Sequence, residues 1–285
     1  MKAGVELLKR LGRTVAILLL VVTGSTILVR FAPGYLSDAR EMDARYAGSA
    51  RVELQAEAAR SGSVGQMVGT ELGGWARGDL GISREYDVPV VELIRPRLAV
   101  SGGLMARAIV LAWTLAICWA LLSSAGRRPW MLWQAPSALL LAVPTAAMAT
   151  FCLIAGWGGP VVVMTLVLAA RDFKFLDKVL RKAWQAEHVL QARAQGVSTA
   201  RLLWAHILPG AGGQLLALAT LSIVTALSAM VPVEVIFSVP GLGQLAWNAA
   251  MNRDLPVLVA VTMILAIAVA LAGMAPERRG EWQAV

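Results

Sequence analysis

A run of small and polar residues between two long apolar stretches is the part of this chain best suited to contact a partner. The run consists of Ala192, Arg193, Ala194, Gln195, Gly196, Val197 and Ser198. Small side chains let a second protein approach the backbone closely, and glycine can adopt the backbone angles of a sharp turn. Composition alone also allows an ordinary connector with a glycine turn. These residues indicate contact chemistry rather than catalysis.

The residues after this run predict how it connects to the rest of the chain. Ser198 or Thr199 is placed to cap a following helix over residues 200–207. Pro209 then marks the start of the next apolar stretch. We therefore expect two short helices joined by a sharp turn, held next to a long apolar helix.

Signatures of catalytic and metal sites are missing from the sequence. No Gly-Lys pair exists, so a G-x-x-x-x-G-K-[ST] phosphate loop is absent, and neither H-E-x-x-H nor G-x-S-x-G occurs. His188 and His206 have no second ligand at metal spacing, and Cys118 and Cys152 lie in apolar runs without a CxxC pair. A membrane-bound enzyme would need clustered carboxylates, which the apolar runs nearly lack. We expect no enzyme activity, no cofactor and no metal.

Long apolar runs must position the polar residues. The chain of 285 residues is 58% hydrophobic and 15% charged, whereas a soluble domain carries about 25% charged residues. A membrane-spanning helix needs roughly 20 apolar residues. We therefore predict an all-α membrane protein with a large outer loop after the first span. Six spans are predicted, at 14–31, 100–122, 130–155, 158–170, 207–233 and 256–275, and the short fourth one should continue as a helix beyond Arg171.

The first run also has the basic start and apolar middle of a cleaved signal peptide. Arg30 stands where the small residues of a cleavage site would be expected. The pattern therefore favours a retained span. On this basis the chain divides into three regions: 1–32 with the N-terminal segment and first span, the outer loop 33–99, and a five-helix core 100–285 that contains a polar segment at 171–206.

The net charge of +8 could suggest nucleic acid, but its distribution indicates membrane topology. With the N-terminus inside, the inner segments 1–13, 123–129, 171–206 and 276–285 hold 15 of the 26 Lys and Arg residues. The long loop 33–99 holds eight, but long loops cross the membrane regardless of charge. We expect a multi-pass protein of a bacterial-type cytoplasmic (inner) membrane, with both termini in the cytoplasm, surrounded by lipid and not bound to nucleic acid.

Four blocks of this sequence resemble the dipeptide/oligopeptide branch of ABC-importer permeases, and they keep that family's order. The block at 188–196 with His206 resembles the loop that docks onto an ATPase, although Leu190 stands where the broader family has Glu. The block FSVPGLGQ at 237–244, followed by NRDLPV at 252–257, resembles a stretch outside the membrane. The other two blocks are RFAPG at 30–34 and WARGDLGIS at 75–83 with VPVVELI at 88–94.

The resemblance implies a six-helix transmembrane bundle that forms the channel of an ATP-driven ABC importer for peptides or similar small solutes. It implies three kinds of partner: a second homologous permease subunit, two ABC ATPase subunits and an extracytoplasmic substrate-binding protein. It also implies that 192–198 couples to the ATPase. The implied outer gate loop contains Glu234, Phe237, Pro240, Gly241, Gly243, Arg253 and Asp254.

Within this outer loop, Pro240-Gly241 favours a tight turn in which glycine supplies the unusual backbone angle. For Glu234, at the outer end of the fifth predicted span, we expect a structural role, with direct contact to the substrate as the alternative. Arg107 within the second span departs from the family pattern, and so does the short C-terminus. These departures leave open an ABC-type exporter subunit, or a membrane scaffold without a role in import.

Overall fold

The computed structural model describes residues 77–125, 130–252 and 254–273, together with isolated positions between residues 12 and 74. Most of the predicted first span at 14–31 and most of the loop 33–99 therefore lie outside the described residues. The described part is built from helices, with one isolated antiparallel bridge between Ile82 and Pro89. The predicted all-α class is confirmed over these ranges.

Nine helices, numbered here in chain order, make up the described part. They are α1 Val90–Ala125, α2 Trp130–Ala142, α3 Thr145–Ala155, α4 Pro160–Trp184, α5 Glu187–Ala194, α6 Thr199–Leu202, α7 Leu208–Ile236, α8 Leu242–Met251 and α9 Leu255–Gly273. A π-helical turn, Leu203–Ile207, joins α6 to α7. Pro209 lies in the first turn of α7, as the sequence predicts, because a proline there removes no helical hydrogen bond.

Three of the described helices are long and apolar enough to cross a membrane: Val90–Ser123, Pro209–Ile236 and Leu255–Gly273. They contain most of the second, fifth and sixth predicted spans. The prediction of 100–122 begins ten residues later than α1 does. Hydropathy marks only the apolar part of a helix, whereas α1 already includes the polar residues Glu92, Arg95 and Arg97.

The third predicted span at 130–155 is not one unbroken helix. The helical segments Met131–Ala142 and Thr145–Ala155 meet at an angle of 93°. Pro144 lies at the break, where its ring disfavours helical geometry for Val143 and it has no N–H to donate. The Pro144 carbonyl instead accepts from the Met148 N–H at 3.0 Å, which starts α3. This bent pair has the composition of a broken span or a re-entrant loop.

The fourth predicted span continues as a helix beyond Arg171, as expected. Helix α4 begins at Pro160 and ends at Trp184. Its polar half has two different faces: Phe173 and Leu176 are buried, while Lys178 and Lys182 are exposed. Such an amphipathic stretch can leave the apolar core and still pack on one side.

The described residues fall into two compact units. One contains residues 77–100 and 240–270, and the other contains 101–239 and 271–273. The core of the second unit is formed by α1, α4 and α7, where Ala116, Ala120, Phe173, Leu176 and Leu218 pack together. The Trp119 ring stacks on Phe173 with ring centroids 4.3 Å apart. Alanine on α1 permits close approach of the neighbouring helices.

Candidate functional site

The predicted coupling segment forms a helix, a sharp turn and a second helix. Helix α5 ends at Ala194, and Gly196 has a φ of +79°, in the left-handed region that favours glycine. The Gly196 N–H donates to the Arg193 carbonyl at 3.0 Å, and the Val197 N–H donates to the Ala192 carbonyl at 3.2 Å. This hydrogen-bond pattern is the Schellman motif that ends many helices. The predicted glycine turn is therefore present, and the positive φ of residue 196 explains why glycine is suited to it.

The second helix begins where the sequence predicts. The Ser198 carbonyl accepts from the Leu202 N–H at 2.9 Å, which places Ser198 at the N-cap position of α6. The helix predicted over 200–207 is observed as α6 followed by the π-helical turn. Helices α5 and α6 with their turn, residues 187–202, are called the coupling hairpin below.

A small apolar cluster holds the coupling hairpin in place. Val189, Leu202 and Ile207 are buried, and Trp184 at the end of α4 packs against them. Ala192 and Val197 also contact this cluster, so these two residues of the predicted segment have a structural role. The buried face follows from the apolar residues at helical spacing.

The opposite face of the hairpin is accessible. Five of the seven predicted coupling residues are exposed, namely Arg193, Ala194, Gln195, Gly196 and Ser198. Leu190 is also exposed, at 49%. A side-chain atom added at Gly196 would meet nothing within 4 Å in this chain, so its glycine is required by the backbone angle and not by internal crowding. The side chains of His188 and His206 lie outside the described part of the structure.

Glu234, the first predicted outer residue, closes the end of α7. It is fully buried, and its Oε1 atom accepts a hydrogen bond from the Ser101 hydroxyl of α1 at 2.6 Å. Its backbone carbonyl accepts from the Val239 N–H at 2.9 Å. Both contacts join Glu234 to other residues of this chain, and its structural role stays a prediction.

The turn at the end of α7 differs from the predicted one. Gly241 has a φ of −108° and a ψ of −172°, which is extended backbone, so the expected unusual angle at Gly241 is wrong. The chain reverses earlier, at Ser238, which has a φ of +52°. The Ser238 backbone N–H donates to the Val235 carbonyl at 3.2 Å, and the Val239 N–H donates to the Glu234 backbone carbonyl. These bonds repeat the Schellman pattern of α5 with serine in place of glycine.

Gly241 instead has a role at the start of the next helix. It occupies the N-cap position of α8, and its carbonyl accepts from the Leu245 N–H at 3.0 Å. Pro240 is exposed, whereas Gly241 and Gly243 are buried. Phe237 is half-buried at the C-cap of α7. Glu234 and Phe237 belong to one unit, and Pro240, Gly241 and Gly243 belong to the other.

Asp254 anchors a small hairpin that precedes α1. The hairpin, residues 82–89, is closed by the Ile82–Pro89 bridge and by the Ser83 N–H donating to the Val88 carbonyl at 2.9 Å. Asp254 is only 1% exposed, and its Oδ2 atom accepts from the Ser83 hydroxyl and, at 3.4 Å, from the Glu85 N–H. Its backbone carbonyl accepts from Leu258 in the first turn of α9. Arg253 lies outside the described residues.

The tip of this hairpin is polar and accessible. Tyr86 is 40% exposed, and its N–H donates to the Ser83 hydroxyl at 3.1 Å. Burial, and then the neighbouring Glu85 carboxylate, raise the pKa of the Tyr86 phenol above its usual value of 10.0. The phenol is therefore neutral at physiological pH and can act as a hydrogen-bond donor.

Sequence reasoning assigned no role to two buried carboxylates of α4. Asp172 accepts from the Ser222 hydroxyl at 2.9 Å, and Ser222 in turn accepts from the Trp113 indole N–H at 3.2 Å. Asp177 forms an ion pair with Arg181, with Nε and Oδ2 2.9 Å apart. The spacing of four residues between Asp177 and Arg181 could have indicated this ion pair from the sequence, because side chains four positions apart are neighbours on a helix. The partner of Asp172, 50 positions away, left no local signal.

This chain matches one family of transport-system membrane components and is similar to permease proteins of several bacteria. Residues 108–276 match the family described as "Binding-protein-dependent transport system inner membrane component". The probable peptide ABC transporter permease protein y4tP of Sinorhizobium fredii is 24% identical over 92% of each chain. The oligopeptide transport system permease protein AppB of Bacillus subtilis is 28% identical over 71% of this chain and 74% of its own. The dipeptide transport system permease protein DppB of Lactococcus lactis is 27% identical over 67% and 69%.

Proposed function

The chain belongs to the family of binding-protein-dependent transport system inner membrane components, and we propose that it forms the channel of an ATP-driven importer for peptides or similar small solutes. The observation that carries this proposal is the coupling hairpin. Its turn at Gly196 is exposed, and its apolar face is packed against the end of α4. A rigid, accessible helix pair of this kind suits docking into a groove on an ATPase subunit.

The proposed mechanism is rigid-body gating. ATP binding closes a dimer of separate ATPase subunits, and the docked hairpin moves with them. Because Val189, Leu202 and Ile207 are buried together, the hairpin cannot move without its neighbours. The movement therefore reaches α4 and, through the π-helical turn, α7. The bundle then changes from inward-facing to outward-facing.

The proposed complex contains this chain, a second homologous permease subunit, two ABC ATPase subunits and an extracytoplasmic substrate-binding protein. The full chain has six spans, with regions 1–32, 33–99 and 100–285 as the sequence predicts. The basic residues of segment 171–206 support a cytoplasmic position for the coupling hairpin. Both termini then lie on the cytoplasmic side of the inner membrane.

The outer residues have a supporting role in this proposal. Glu234 and Asp254 are buried and accept hydrogen bonds from serine hydroxyls, which supports a role in shaping the outer loops over direct contact with the solute. Phe237, Pro240, Gly241 and Gly243 set the path of the chain from α7 into α8. Arg253 completes the proposed outer gate loop.

Copurification is the first test of this function. We expect the tagged chain, solubilised in mild detergent, to bring down ATPase subunits and a second multi-span protein in fixed ratio, as identified by mass spectrometry. Proteoliposomes with the whole complex should then take up peptides from a random tripeptide library only when ATP and the binding protein are present. Recovery of the chain alone would contradict the proposal and favour a scaffold, and uptake in the opposite direction would favour an exporter.

A further inference from the structure

Asp177 occupies a junction of three helices. Its Oδ1 atom accepts a hydrogen bond from the Ser123 hydroxyl near the end of α1, at 2.9 Å. Its Oδ2 atom accepts from the Gln134 amide in the first turns of α2, at 2.8 Å, and from Arg181 Nε at 2.9 Å. Arg181 Nη2 also donates to the Ser123 hydroxyl at 3.0 Å. One carboxylate therefore connects α1, α2 and α4.

The environment of this carboxylate makes the connection specific. The Asp177 residue is 3% exposed, whereas the Arg181 side chain is 39% exposed. An unpaired buried charge is strongly unfavourable, and both oxygens of Asp177 have donors. Three donors from three helices reach the carboxylate only when the helices keep their present positions. Sliding of α2 along α4 would remove the Gln134 bond, and separation of α1 would remove the Ser123 bond.

Helix α4 also carries the contact to the coupling hairpin. Leu180, one turn after Asp177, packs against the core cluster of α1, α4 and α7 and also against the cluster of Val189, Leu202 and Ile207. Trp184, one turn further, packs against the latter cluster. The short stretch from Asp177 to Trp184 thus contacts the hairpin at one end and fastens α1 and α2 at the other.

We infer that Asp177 is a positioning residue that makes the ends of α1 and α2 move together with α4 and the coupling hairpin. This inference rests on the proposed transport function, in which the ATPase moves the hairpin. The carboxylate touches neither ATP nor the solute. It fastens two further helices to the element that receives the movement, so ATP hydrolysis produces transport. Without it, the hairpin can move while α1 and α2 lag behind.

The test compares Asp177→Ala with Lys178→Gln in the reconstituted complex. Lys178 is the neighbouring residue on α4, and it is exposed, so it serves as the matched control. Uptake of tripeptides from a random library and ATP hydrolysis are measured in the same proteoliposomes. We expect the Asp177→Ala complex to keep its ATPase subunits but to hydrolyse about tenfold more ATP per peptide taken up, in the usual range of coupling energies. The control should match the wild type.

Exchanging the carboxylate of position 177 and the amide of position 134 should partly restore coupling. In Asp177→Asn an amide N–H group replaces an oxygen that accepts from the two donors Gln134 and Arg181. Adding Gln134→Glu supplies a carboxylate from position 134, which can accept from the amide at position 177 and from Arg181. We expect the double variant to use less ATP per peptide than Asp177→Asn alone. If Asp177→Ala is not recovered from membranes, Gln134→Ala removes a single bond and should raise the ratio in the same direction.

A second measurement separates this inference from the proposed function. Hydrogen–deuterium exchange of the purified protein should be faster at the amides of residues 130–135 and 137 in Asp177→Ala than in the wild type, and unchanged in Lys178→Gln. If the wild-type complex shows no ATP-dependent uptake, the proposed function fails, and exchange still tests the junction. Unchanged exchange, or an assembled Asp177→Ala complex with a wild-type ratio of ATP to peptide, would overturn the inference.

Discussion

Each buried carboxylate in the described ranges accepts a hydrogen bond from a serine hydroxyl. The four pairs are Ser83 with Asp254, Ser101 with Glu234, Ser123 with Asp177, and Ser222 with Asp172. A neutral hydroxyl satisfies a carboxylate oxygen without bringing a second charge out of water, which would carry its own desolvation cost. At the residue scale, a serine hydroxyl is therefore the partner that these four buried carboxylates share, and Asp177 adds Gln134 and Arg181 to it.

The Ser101–Glu234 pair gives a prediction for stability. Ser101→Ala removes one donor to a fully buried carboxylate, and we expect it to lower the free energy of unfolding by about 1–3 kcal/mol. Thermal unfolding in detergent measures the change. Ser228→Ala is the control, because Ser228 is exposed on the same helix, α7, and donates only to the Val224 carbonyl. Equal effects of the two substitutions would contradict a special role for the buried pair.

Gly196 gives a prediction for transport. Gly196→Glu places a large charged residue at a left-handed position on the exposed turn, so we expect the protein to remain in the membrane while ATP-dependent uptake is lost. Gly196→Ala adds only the backbone cost, about 1–2 kcal/mol, and should retain part of the uptake. Uptake in proteoliposomes, with membrane level measured by immunoblot, tests both variants.

Gly212→Ala is the control for this position. Gly212 lies in α7, is exposed and has nothing within 4 Å of an added carbon, so alanine there should leave uptake unchanged. Wild-type uptake by Gly196→Glu would contradict the docking role of the hairpin.

At the element scale, two helices end in the same way with different residues. Helices α5 and α7 both end in a Schellman motif, with Gly196 and Ser238 at the equivalent left-handed position. Only glycine adopts that conformation without steric cost. The coupling hairpin therefore has an unstrained turn, whereas the end of α7 keeps a strained serine.

Replacement of that serine should stabilise the protein. Relief of the left-handed cost in Ser238→Gly is partly offset by the greater freedom of glycine in the unfolded chain, so we expect a gain of about 0.5 kcal/mol. Ser228→Gly, inside α7, should instead cost about 0.5 kcal/mol, because glycine is less favourable than serine inside a helix. Thermal unfolding of the two variants should shift in opposite directions, and a shift of the same sign would refute the account of Ser238.

At the scale of the whole molecule, the proposed topology places the coupling hairpin and the 82–89 hairpin on opposite sides of the membrane. Both hairpins expose their tips, at Gly196 and at Tyr86. Most of the Lys and Arg residues outside the long loop 33–99 lie in segments expected inside.

Cysteine labelling tests this topology. In a variant with Cys118 and Cys152 replaced by alanine, we expect Ser198→Cys to react with a membrane-impermeant maleimide only in inside-out vesicles. Tyr86→Cys should react only in right-side-out vesicles. Both positions are exposed in this chain, and the vesicles are first stripped of ATPase subunits, which would otherwise cover position 198. Labelling of both from the same side would contradict the proposed orientation.

The sequence by itself determined the features that depend on near neighbours. Apolar run length located α7 and α9 to within a few residues, because a membrane span is a local property of about 20 residues. The glycine turn at 196 and the continuation of α4 beyond Arg171 were also readable, since helix ends and amphipathic faces depend on residues three or four positions apart. The role of Gly241 was misassigned because proline and glycine signal a turn without saying which residue takes the unusual angle.

Only the tertiary structure decided which side chains meet. Ser83 and Asp254 are separated by 171 positions, and Ser101 and Glu234 by 133, so no local pattern links them. The 93° angle between α2 and α3 was also decided only by the tertiary structure, because proline disfavours the helix but does not set the direction of the next one. Partner choice is decided when helices pack and most buried polar groups acquire a hydrogen-bond partner, and that requirement acts on the whole fold at once.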